Sequence, residues 1–124
     1  MSGPADGTGL TQWLANVADG DPASLAPATG PEEDNIEESG LDARTHAMVC
    51  LAALVVGGER GTTYDQHVAT ALDHGVTPDE IAGVLVALLP TAGAARVTAA
   101  APAIRAAIER LAGSIPAGLA IMSA

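Results

Sequence analysis

The chain is predicted to be all-α, a compact bundle of about five or six helices. Two observations carry that prediction. From residue 40 onward no stretch alternates polar and apolar at period two, and alanine, the best helix former, is abundant. Helix punctuation is also dense: Gly57-Gly58, Gly75, Thr77-Pro78-Asp79-Glu80 and Gly113 cut the chain into helix-sized pieces.

Composition divides the chain into three parts: an acidic, Pro- and Gly-rich arm over residues 1–39, a helical domain over 40–113, and a short apolar tail over 114–124. Residues 1–43 carry nine acids and no Arg, whereas the six acids beyond them nearly balance five Arg. One short helix is expected in the arm, from Thr8 to Ala18, with Leu10, Trp13, Leu14 and Val17 on one stripe. A lone Trp in a polar arm needs cover, so this stripe is expected to dock in a groove of the chain or of a neighbour. The acidic run Pro31 to Ser39 reads as a solvated face.

The first core helix is expected from about Asp42 to Val56. Its second half, Ala47 to Val56, is apolar on every side and predicts a helix enclosed by others. The next helix is expected from about Thr62 to Gly75, with Thr62 and Asp65 resembling a capping box. Thr77, Pro78 and Glu80 supply the N-cap, the N1 proline and the closing acid of the following helix, which Pro90 is expected to end or kink. Residues 91–112 read as a last helical region, kinked near Pro102 and ended by Gly113. A small domain with such apolar helices has more greasy surface than it hides alone, so self-association is expected.

Composition also excludes functions. Aromatic residues are 2% of the chain, Trp13 and Tyr64 with no Phe, so no platform exists for stacking nucleic-acid bases. A formal charge of −10, with no Lys, repels phosphate backbones and anionic membranes; neither nucleic acid nor a membrane is an expected partner. The single Cys50 permits no internal disulfide, no CxxC redox pair and no Cys-based zinc site. The N-terminus carries no leader pattern, and the longest apolar run falls short of the roughly 20 residues that span a bilayer. The cytoplasm is therefore the expected location.

Three segments carry a family resemblance. Leu41-Asp42-Ala43-Arg44-Thr45 is similar to an LDxRT helix start. His67 to Ile81 is similar to the pattern H-x3-A-L-x2-G-[AV]-T-x2-E-I. Val84-Leu85 with Gly93 and Ala99 falls on a V-L, G, A spacing. Together, over about residues 40–108, they resemble the carboxymuconolactone decarboxylase family, which includes the AhpD-like alkylhydroperoxidases. The resemblance implies an AhpD-like helical bundle that assembles as a trimer or hexamer. In the peroxidase branch, cysteines lie seven and four residues before the histidine; here those positions are Arg60 and Thr63, so that mechanism lacks its thiols. An Arg at the first of them occurs in the cysteine-free decarboxylase branch.

For that branch the resemblance implies an enzyme without cofactor or metal, a carboxy-lyase acting on a small carboxylated lactone or organic acid. The candidate catalytic residues are His67, Arg60 and Tyr64. Gly75, Thr77 and Glu80 make a tight helical turn, which is expected to set His67 on an inward stripe with Tyr64 and Ala71. His67 suits proton transfer near neutrality, or else a structural hydrogen bond. Arg60 suits a substrate carboxylate, or else a salt bridge to Glu59 or an arm acid. Tyr64 suits the same pocket, or else the core. Arg96, in the last helical region, suits the same pocket, or else, as is expected, a pairing with one of the many acids. A metal site from His46, Cys50, His67 and His74 matches no compact motif. Small residues at Ala87, Thr91 and Ala95 replace the family's His, Tyr and Pro, and leave a second reading: a non-catalytic, partner-binding member.

Overall fold

The computed structural model describes residues 9–112. Among them are six α-helices and no strand: α1 (Gly9–Ala18), α2 (Glu32–Ser39), α3 (Ala43–Gly57), α4 (Thr62–Asp73), α5 (Pro78–Ala92) and α6 (Ala94–Ala112), with a 3-10 stretch at Pro22–Thr29 between the first two. The chain divides into two compact units, Met1–His46 and Ala47–Ala124, the division falling in the first turn of α3. Gly113, expected to end the last helix, and the apolar tail lie outside the described residues. No single described helix is long and apolar enough to cross a membrane.

The first unit holds more helix than the one short segment expected. Trp13 on α1 finds its cover locally: its indole N–H donates to the Ser24 carbonyl at 2.8 Å, and the ring is half-buried. Leu10 and Leu14 of the same stripe stay exposed. The acidic run is helix α2, whose first turn carries Glu32, Glu33 and Asp34, where the helix dipole favours negative charge. Its Asn35 Oδ1 sits 2.8 Å from His46 Nε2, on a histidine only 6% exposed. Asp42 precedes α3 and accepts the Thr45 N–H on Oδ1 at 2.7 Å, an N-cap bond that holds the carboxyl below its ordinary range.

In the second unit α6 is the central element, against which both α4 and α5 pack. Its Ala100, Ile104 and Ala107 form one buried stripe. Two of the three are alanine, which lets neighbouring helices approach closely. Against them lie Tyr64, Val68 and Ala71 of α4, with Ile81 of α5 and Val76 of the connecting turn in the same core. Helices α4 and α5 each meet α6 more closely than they meet each other. The turn itself forms as expected. Gly75, at φ +86°, lets its own N–H reach the Leu72 carbonyl and the Val76 N–H reach the Ala71 carbonyl. Thr77 and Glu80 exchange both bonds of a capping box, at 2.9 and 3.1 Å.

Three expectations need correction. Helix α3 is not enclosed: Ala47, Leu51 and Val55 are buried, while Val49 and Val56 face outward. So few helices cannot wrap an apolar rod of about four turns on all sides. The N-cap of α4 is Gly61, not Thr62, and no side chain bonds there, so the Thr62/Asp65 box does not form. Of the end or kink expected at Pro90, the end does not occur: α5 continues to Ala92 and stops at Gly93. Pro90 and Val86, whose carbonyl it leaves without an N–H, are both exposed, so water can serve that group.

Candidate functional site

The link between α3 and α4 carries the polar groups. Helix α3 closes with Gly58 at φ +73°, whose N–H reaches the Val55 carbonyl while the Glu59 N–H reaches back to Leu54. This pairing, which requires a left-handed residue, aims Glu59 and Arg60 away from the helix end. Gly61 then turns the chain into α4, and Tyr64 lies within its first turn.

Glu59, Arg60, Tyr64 and Arg96 line one cavity of about 470 Å³. Ala95, Ala99, Ala100 and Ala103, small residues recurring along α6, form its far wall. Their missing bulk makes the space. A second cleft, about 410 Å³ between α5 and α6, is almost wholly apolar, with Arg105 and Glu109 at its edge paired to each other at 3.4 Å. Convergent polar groups favour the first as the ligand site.

Tyr64 is 1% exposed, yet its hydroxyl has no hydrogen-bond partner. A buried unmade hydroxyl costs about 1–3 kcal/mol, so something in the fold tolerates it for a reason. Burial pushes the phenol above its ordinary value of 10, and the negative charge of Glu59 pushes it the same way. At neutral pH the group is therefore a proton-bearing donor.

Arg60 is exposed and, among the described residues, forms no hydrogen bond or ion pair, so the salt bridge to Glu59 weighed from sequence is not made. Arg96 departs from expectation: it pairs with no acid but donates from Nη1 to the Val56 carbonyl. The last carbonyls of a helix lack internal partners and carry the negative end of its dipole, which is why a guanidinium settles there. The residue also lines the cavity. In the sequence, Arg96 followed by Ala99, Ala100 and Ala103 at helical spacing was the available signal.

His67 is not brought to this cavity. The buried stripe of α4 is Tyr64, Val68 and Ala71; three residues beyond Tyr64, His67 is turned about 60° off it and is half-buried. Its Nδ1 donates to the Thr63 carbonyl at 3.1 Å. Of the other residues weighed as metal ligands, His46 meets Asn35, and His74 caps the C-terminus of α4.

Comparison with known families places these features. The model of the carboxymuconolactone decarboxylase family matches residues 23–106, about two thirds of the chain, and the chain belongs to that family. Comparison with curated proteins and with solved structures gives no significant match.

Proposed function

We propose that the protein is a carboxy-lyase of the decarboxylase type, acting on a small carboxylated lactone or organic acid held in the Arg60–Arg96–Tyr64 cavity. The observation that carries this reading is a cavity lined by two arginines and by Tyr64, whose buried hydroxyl has no hydrogen-bond partner among the described residues. Arg60, with a free guanidinium, is the anchor for a carboxylate. In decarboxylation the C–CO₂⁻ bond breaks, CO₂ leaves, and its electron pair passes into a neighbouring carbonyl as an enolate. A proton must then reach carbon. Tyr64, kept protonated by burial and by Glu59, has one to give. The test is CO₂ release from carboxylated γ-lactones and β-keto acids by the full chain. Release that disappears in Tyr64→Phe supports the reading, and release that persists there removes it.

A second reading, a binding member without turnover, is favoured by His67 standing outside the cavity. It predicts ligand binding with no CO₂ released from any such acid. Self-association is part of either reading. Val86, 65% exposed, and Leu89 on α5, with Val49 and Val56 on α3, leave apolar surface that a second copy would cover. Sedimentation should show an oligomer that Val86→Glu shifts toward monomer.

A further inference from the structure

The cavity carries two positive charges and one negative. Arg60 and Arg96 line it, and so does Glu59. Opposite charges lining one small space would be expected to pair. Among the described residues Glu59 makes no ion pair with either arginine, and Arg96 is turned instead to the Val56 carbonyl. The carboxylate is thus left facing a site otherwise built to receive an anion.

We infer that Glu59 is a specificity residue, which makes the cavity prefer a monocarboxylate bearing a hydrogen-bond donor over a dicarboxylate. The inference rests on the proposed function for the location of the site and goes further in naming its ligand class. A carboxylate between Arg60 and Arg96 meets two guanidinium groups. The other end of a short ligand then meets Glu59. A hydroxyl there donates to the Glu59 carboxylate. A second carboxylate there meets a like charge with no donor between them, and leaves both without a partner. Exclusion is thus done by repulsion, and attraction by the arginines.

The matched probes are 4-hydroxybutyrate and succinate, which share a four-carbon chain and differ in one terminal group. Each is titrated into the full-length protein, with the resonances of Tyr64, the only tyrosine, as reporter. The hydroxy acid is expected to bind about five-fold tighter, a modest factor because Glu59 and both arginines are solvent-exposed. Glu59→Gln is expected to erase or invert that preference by strengthening succinate. Succinate binding as tightly as 4-hydroxybutyrate, or a ratio untouched by Glu59→Gln, overturns the inference while leaving the carboxylate site standing. Failure of both acids to perturb Tyr64 removes the site itself and the inference with it.

Discussion

Arg96 donates from Nη1 to the Val56 carbonyl, joining the start of α6 to the end of α3 across forty residues of sequence. The bond does two things. It closes the C-terminus of α3 with a cation, and it holds the guanidinium over the cavity that Arg60 and Tyr64 also line.

Arg96→Ala should therefore lower stability and ligand affinity together. Loss of a charged hydrogen bond at an exposed helix end is worth about 1 kcal/mol in denaturant unfolding. Loss of one of two cationic partners should weaken carboxylate binding about ten-fold, at a cost of ~1.4 kcal/mol. Arg96→Lys, which keeps the charge without the fork, should recover the first effect better than the second.

Tyr64→Phe should separate stability from function. A tyrosine whose hydroxyl is bonded loses stability on this change. Tyr64 has an orphan hydroxyl, so the variant should unfold at equal or higher denaturant concentration, by up to about 1 kcal/mol, while losing turnover. A clear loss of stability would show that the hydroxyl is bonded in solution.

The phenol also sets a pH dependence. Its folded value lies above its ordinary 10, so the fold favours the neutral form. That contribution to stability is complete below pH 10 and is lost as pH rises through the raised value, where the buried group ionises. Absorbance titration of the only tyrosine should give a midpoint above 10, and Glu59→Gln should bring it down.

His67→Ala should leave carboxylate binding in the cavity within about two-fold of the parent, since His67 is no part of its lining. It should cost little stability, as the lost bond runs only to the Thr63 carbonyl on a half-buried ring. Binding abolished by this change would place the site elsewhere.

Thr77→Ala removes the Oγ1 that accepts the Glu80 N–H in the capping box opening α5, and leaves the Thr77 backbone N–H to bond the Glu80 carboxylate. A loss of about 1 kcal/mol is expected in urea unfolding, with ligand affinity unchanged because the box lies outside the cavity. Thr77→Ser should retain most of it.

Local order was legible in the sequence wherever it depends on neighbours along the chain. The Gly75 turn and the Thr77–Glu80 box were readable because their bonds span three to five residues, and the helices because alanine and the lack of alternation leave little else. Arg60 was singled out by its place seven residues before His67 in the family pattern, and Tyr64 by its place three before it; both line one cavity, which His67 does not. Several matters were decided only by packing. Helix α3, apolar all round, chose its buried edge when Leu51 and Val55 met the core, and nothing in its own sequence marks that edge. His67 and Tyr64, three apart, were equally good members of an inward stripe; a rotation of α4 against α6 buried Val68 in place of the imidazole. Arg96 was drawn to a carbonyl, not to one of many acids, because the end of α3 arrives beside it from forty residues away. Sequence determined that this chain is a helical member of its family with an arginine and a tyrosine at the right spacing. Only the tertiary structure could bring them to one cavity, since a cavity is defined by side chains that are distant in sequence and small enough to leave room.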